Sequence, residues 1–196
     1  MVRTPLALIP YLIAVAVVVV GLLWHAGDSL SGANRVAGEA SIGGPFTLVD
    51  QDGKVRRAAD FRGRFMLVYF GYSNCPDICP TSLAVMADAL EKLGPKAGRV
   101  VPIFITIDPE RDTSGVLKAY LKAFGPRFLG LTGDAKAVAA AAHAYRVYYR
   151  KRPLSGGYAM DHSSHIYLMG PDGKFVAVYD ESLGPDGLAA VLKKQL

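Results

Sequence analysis

Only two cysteines, four histidines and one tryptophan occur among the 196 residues. With no third cysteine, a closed structural zinc site of the three- or four-thiolate kind is excluded. No cysteine follows the apolar N-terminal stretch either, so a lipid anchor on an N-terminal cysteine has nothing to attach to. Internal repeats, low-complexity tracts and nucleic-acid-binding motifs are also lacking, and the net charge of +5 is not concentrated strongly anywhere. Its densest basic run, Arg146 to Arg152 (RVYYRKR), reads as a solvated strand edge, with docking to an acidic partner or to lipid headgroups as the other use.

Residues 5–24 (PLALIPYLIAVAVVVVGLLW) carry no charge. At about 1.5 Å rise per residue, roughly 20 apolar residues in a helix cross a bilayer core. Pro10 is tolerated in such a helix, and Trp24 ends the run where an interfacial aromatic belongs. The only small-residue cleavage candidate, Ser31-Gly32-Ala33, lies well past the run, so the segment is expected to be an uncleaved single-pass anchor rather than a signal peptide. Arg3 before it favours a short cytoplasmic N-terminus at residues 1–4 and an outward-facing remainder, in the periplasm of a bacterial inner membrane. Residues 25–40 are small, polar and aperiodic, as in a flexible linker. Residues 41–196, about 155 in all, suffice for one well-buried domain.

Within that domain Phe46 to Arg56, interrupted by Asp50-Gln51-Asp52-Gly53, predicts an N-terminal hairpin. Phe65 to Gly71 (FMLVYFG) and Val100 to Ile107 (VVPIFITI) are continuous apolar runs, as in strands buried on both faces. Between them Leu83, Met86, Ala87, Leu90 and Leu93 recur at helical spacing, with Pro80 as the expected first helical residue. A second helix through Val116 to Phe124 stops at Gly125-Pro126, and an alanine-rich helix follows from about Asp134 to Tyr145. Gly170-Pro171-Asp172-Gly173 predicts a hairpin between Ser163–Met169 and Lys174–Tyr179, before a terminal helix over Pro185–Leu196. This order predicts an α/β fold: a mixed sheet flanked by helices, with parallel units first and an antiparallel pair last. Ligands in such sheets gather beyond the carboxyl ends of strands, where residues 72–79 fall.

Both cysteines lie in one hexapeptide, Cys75-Pro76-Asp77-Ile78-Cys79-Pro80. Four residues apart at the mouth of a helix, two sulfurs can share a metal or form a disulfide. Cys79 falls in the N-cap region just before Pro80, where unpaired N–H groups and the helix dipole favour a thiolate, which serves equally as nucleophile and as metal ligand. A disulfide that merely staples so short a loop would constrain the unfolded chain little. Two thiolates plus an imidazole suit Cu(I) and also accommodate Cu(II) or zinc. The imidazole would come from His162 or His165, since His25 belongs to the membrane boundary and His143 to the alanine-rich helix. Three residues apart on an extended strand, His162 and His165 point to opposite faces, so they are not expected to share one ion.

Phe70 to Thr81 (FGYSNCPDICPT), Ile107 to Thr113 (IDPERDT), and Met160 to Ser163 (MDHS) with Tyr167 to Gly173 (YLMGPDG) resemble three separated motifs of the Sco/SenC family of copper proteins. The resemblance runs from about Gly43 to the C-terminus. It implies a thioredoxin-like fold and one copper ion, Cu(I) or Cu(II), per chain, held by Cys75, Cys79 and His162. It further implies copper delivery to the binuclear site of cytochrome c oxidase subunit II, with other copper chaperones as further partners. Asp77, Asp108 and Asp161 are candidates for orienting the ligands, and Pro153 to Tyr158 is a turn-rich stretch that could let His162 swing. The alternative function is a thiol-disulfide oxidoreductase using a redox-active disulfide between Cys75 and Cys79. Asn74 and Ser163 depart from the family's usual residues, but neither change removes a ligand.

Overall fold

The two uninterrupted apolar runs form the middle of the sheet. In a computed structural model, which describes residues 42–196, they become β3 (Phe65–Gly71) and β4 (Val100–Thr106), both buried along their whole length. They pair in parallel, Phe65 opposite Val100 through Gly71 opposite Thr106. Helix α1 (Ile78–Leu93) makes the crossover between them, and α2 (Ser114–Leu121) links β4 to the parallel strand β5 (Leu129–Thr132). The predicted first hairpin, β1 (Thr47–Asp50) and β2 (Val55–Arg57), joins this sheet antiparallel to β5. On the opposite side β8 (Ile166–Met169) pairs antiparallel with β3, and β9 (Phe175–Tyr179) closes the order β2-β1-β5-β4-β3-β8-β9. The β8–β9 turn forms as its chemistry requires: Gly173 takes a positive φ of 71°, and its N–H donates to the Gly170 carbonyl.

Side chains such as Leu67, Tyr69, Phe70, Ile103, Phe104 and Ile105 fill the interior from both faces of β3 and β4. Each large apolar side chain so buried contributes about 1.5–3 kcal/mol by its removal from water. Leu83, Met86 and Leu90 press α1 onto the sheet, and α1 packs in turn against α4 (Gly184–Gln195). Asp134 caps α3 (Ala135–Ala144) by accepting from the Ala137 N–H at 2.7 Å. On β5, Gly130 has no room for a side chain, because a Cβ there would lie 2.5 Å from Leu121 Cδ1.

Two expectations change. Helix α1 starts at Ile78, so Asp77 is its N-cap, Cys79 already lies within the first turn, and Pro80 is the third helical residue. The first turn tolerates proline anywhere that an N–H would have no intrahelical partner, so the sequence did not single out one start. The stretch expected to be a turn-rich loop is instead a regular hairpin, β6 (Tyr149–Leu154) and β7 (Gly157–His162), forming a two-stranded sheet of its own. The basic run supplies most of β6, solvent-exposed as expected, while Ser155-Gly156 makes only its tip. The proposed N-terminus, anchor and linker of residues 1–40 lie outside the described residues. Among the described residues no helix is long and apolar enough to cross a membrane.

Candidate metal centre

Beyond the carboxyl end of β3 the chain turns through Tyr72 to Asn74 and enters α1, carrying Cys75 just before the helix and Cys79 within its first turn. Cys79 is fully buried, whereas Cys75 retains 9% exposure. His162 reaches the same point from the last position of β7. One ligating atom from each of Cys75, Cys79 and His162 lies within 4.8 Å of the others, and among the described residues this is the only such cluster of three. The centre borders on no room to spare: a Cβ on Gly71 would stand 2.8 Å from the Cys79 sulfur.

Strand alternation explains why His162 takes part. Tyr158, Met160 and His162 share one face of β7, and Met160 is buried between the other two. The His162 ring stands edge-on to Tyr69 and Tyr72, with centroids 6.4 and 5.8 Å away. His162 Nδ1 is 2.8 Å from the Ser163 carbonyl, which can only accept, so Nδ1 carries the proton. The lone pair of Nε2 is thereby left facing the sulfurs, 3.4 Å from Cys79 Sγ, the tautomer that metal ligation requires. His165 is exposed, beyond the end of β7, with its ring against Tyr167, and His143 is exposed on α3.

Both cysteines are free thiols. A hydrogen bond from Cys79 holds the Cys75 thiol well below the ordinary range; burial opposes this, while the N–H groups of Asp77 and Cys79 reinforce it. The same contact, together with burial, pushes Cys79 up, so the lowered thiol is Cys75 and not Cys79, which lies buried inside the first helical turn rather than at its cap. Of the two, Cys75 is therefore the sulfur that loses its proton first. Burial and the neighbouring Cys79 sulfur also push the Tyr69 phenol up, so it remains a neutral hydroxyl beside the centre.

The three candidate aspartates have separate placements. The Asp77 side chain is exposed and makes no cap hydrogen bond, and it is the residue's backbone N–H that faces Cys75. Asp161 points to the other face of β7, where it pairs with Arg152 at 3.0 Å and Arg150 at 3.7 Å. Asp108 is buried below the hairpin, ion-paired to Arg111 and accepting from the Tyr158 hydroxyl at 2.9 Å. Reasoning from the sequence did not single out Asp112. This fully buried carboxylate accepts from the Ser73 N–H at 3.0 Å, the Ser73 hydroxyl at 2.5 Å and the Thr106 hydroxyl at 2.7 Å. It thereby fixes the turn that leads into Cys75. A surface groove of about 730 Å³ between α1 and residues 123–128 shares no residue with this centre.

A mixed sheet with helices and a dithiol-imidazole cluster at a strand's carboxyl end define a thioredoxin-like domain built to hold a soft metal. The comparisons with known proteins agree. The SCO1/SenC family model matches residues 34–196, and the chain belongs to that family. It is 42% identical over 163 residues to the human mitochondrial SCO2 homolog, covering 81% of this chain but only 61% of that protein. Copper-bound ScoI of Bradyrhizobium japonicum superposes with a TM-score of 0.75 at 45% identity, covering 80% of this chain and 100% of that one. BsSco, a cytochrome c oxidase assembly protein in which a disulfide switch has been identified, matches with a TM-score of 0.64 at 28% identity over 78% of this chain and 92% of its own.

Proposed function

We propose that this chain is a copper chaperone that binds one copper ion through Cys75, Cys79 and His162 and passes it to the binuclear copper site of cytochrome c oxidase subunit II. The convergence of the three ligating atoms within 4.8 Å carries the reading, because two thiol sulfurs and one imidazole match Cu(I) in softness and leave no fourth ligand to close the site. Release is graded by exposure. His162 is half-buried and Cys75 lies at the rim, whereas Cys79 is fully enclosed. An incoming thiolate would displace His162 first and Cys75 next, so cargo leaves by stepwise ligand exchange. The uncharged run at residues 5–24 would anchor the chain in a bacterial inner membrane with this domain in the periplasm, facing the oxidase.

Titration of the purified full chain with Cu(I) against a competing chelator tests the assignment. One equivalent should bind, and Cys75→Ser, Cys79→Ser and His162→Ala should each weaken retention by at least about tenfold. Unchanged affinity in any of the three would remove that residue from the site. A second reading, a thiol-disulfide oxidoreductase that reduces the oxidase cysteines, is favoured by the free cysteine pair, in which the Cys75 thiol is held low by its neighbour. It requires turnover of a disulfide substrate without copper, insensitive to His162→Ala.

A further inference from the structure

The β6–β7 hairpin stands outside the seven-stranded sheet, yet it carries His162. We propose that Asp108, Arg111 and Tyr158 are positioning residues that clasp this hairpin to the loop after β4 and so set where His162 stands relative to the two sulfurs. The proposal rests on His162 being a copper ligand, as argued above.

The clasp is built from several contacts on one aromatic side chain. Arg111 lays its guanidinium over the Tyr158 ring, 3.8 Å from the centroid, and donates from Nη1 to the Tyr158 carbonyl at 3.0 Å. The Tyr158 hydroxyl donates to Asp108 Oδ1 at 2.9 Å, and Arg111 Nε pairs with the other oxygen of that carboxylate. Lys151, across the hairpin, sits 4.1 Å from the same ring centroid and pairs with Glu110 at 2.7 Å. Asp108 is only 2% exposed and its N–H donates to the Thr106 hydroxyl at the end of β4, so the fixed end of the clasp belongs to the core.

Strand geometry carries this anchoring to the metal centre. Tyr158 and His162 lie four residues apart on the same face of β7, about 13 Å along the strand. Arg111 is also 5.6 Å from the ring centroid of Tyr72, the ring that stands edge-on to His162. Elsewhere the hairpin is tied at its base, where the Ser163 N–H donates to the Tyr148 carbonyl at 3.0 Å and the Tyr148 N–H to the Ser163 hydroxyl at 3.3 Å. β6 is almost wholly exposed. With the clasp open, β7 is held only by buried Met160 and by that base beside His162, and rotation of the strand there re-aims the His162 ring relative to the sulfurs.

The test is a double-mutant cycle on the full chain, combining Arg111→Leu or Tyr158→Phe with His162→Ala. The readout is the rate at which bound Cu(I) passes to a chelator. Tyr158→Phe keeps the ring under the guanidinium but removes the hydrogen bond to Asp108, so release should quicken by about three- to tenfold. Arg111→Leu should quicken it further, and Arg111→Lys should restore only part of the loss. In the His162→Ala background neither change should alter the rate. Equal acceleration in that background, or none in the wild-type background, overturns the proposal. A second readout needs no copper: amide hydrogen exchange at residues 157–162 should accelerate in both variants while β3 and β4 stay protected. Unchanged hairpin exchange also overturns it. If His162→Ala alone leaves copper retention unchanged, the ligand assignment fails and the exchange result still decides whether the clasp exists. Should Arg111→Leu fail to fold, Tyr158→Phe carries both measurements.

Discussion

Adding one methyl group at Gly71 should damage the centre without touching a ligand. The glycine ends β3, and a Cβ there would meet Cys79 Sγ at 2.8 Å, Tyr69 Cε1 at 2.9 Å and Phe104 Cε2 at 3.0 Å. All three neighbours are fully buried, so none can swing into solvent to make room. Relief must come from shifting the helix start that carries Cys79 or from tilting two packed rings. Overpacking of this kind costs about 1–3 kcal/mol, which for a domain of this size lowers Tm by about 3–10 °C. Because the nearest atom is a proposed ligand, Cu(I) affinity should also fall, by about ten- to a hundredfold. Thermal melts by circular dichroism on the apo chain, paired with chelator competition, separate the two effects. Gly98→Ala is the control, since a Cβ there meets nothing within 4 Å and should leave Tm unchanged or slightly higher. A Gly71→Ala chain with wild-type Tm and wild-type copper affinity would refute the claim that β3 is cut back to fit the sulfur.

Asp112→Ala leaves three donors from Ser73 and Thr106 unanswered in the interior, and should cost about 3 kcal/mol or more by urea unfolding, against less than about 1 if the carboxylate is incidental. Asp50 is fully buried; burial pushes its carboxyl up, but the Lys54 N–H, the Arg56 side chain and the Asp52 N–H outweigh it and hold the net pKa below 3.8. A folded pKa below the unfolded one means this stability is present above about pH 4 and lost as pH falls through the folded value, so an Asp50→Asn chain should converge with wild type in acid; a gap that stays constant to about pH 2.5 would contradict the sign. Cys75, held low by its Cys79 hydrogen bond despite burial, should remain a thiolate well below the usual range, so alkylation of the reduced apo chain should vary little between about pH 6 and 8. A tenfold loss per unit on acidification through that window would show an ordinary thiol.

How far the sequence reached depended on how local each signal was. The buried strands, the crossover helices and the β8–β9 turn each advertise themselves within a few residues: all-apolar runs, helical spacing, and glycine where φ must be positive. The cysteine pair was legible for the same reason, four residues apart at a helix mouth. The β6–β7 hairpin was not. Its strands carry charge where a core strand carries apolar residues, and its cohesion comes from cross-strand partners such as Arg150 opposite Asp161, which no short window reveals. Missing the hairpin left the choice between His162 and His165 to family resemblance. Once the strand is known, alternation puts His162 on the face of buried Met160, while β7 ends before His165.

The segment Asp108 to Thr113 shows the same limit from another side. In sequence it lies within a family motif from which only Asp108 stood out as a candidate, with nothing local to set Asp112 apart. In the fold it divides its labour within five residues. Asp108 and Arg111 reach outward to Tyr158, on the strand that bears His162, whereas Asp112 turns inward to Ser73, two residues before Cys75. The loop after β4 thus touches the chain segments that deliver the imidazole and the sulfurs, which are otherwise far apart in sequence and belong to separate sheets or to a helix. A centre with only three protein ligands has no fourth bond to hold its geometry, so the spacing between imidazole and thiolates must come from the scaffold. One short loop after the central strand, fixed to the core by buried carboxylates, is placed to supply that spacing.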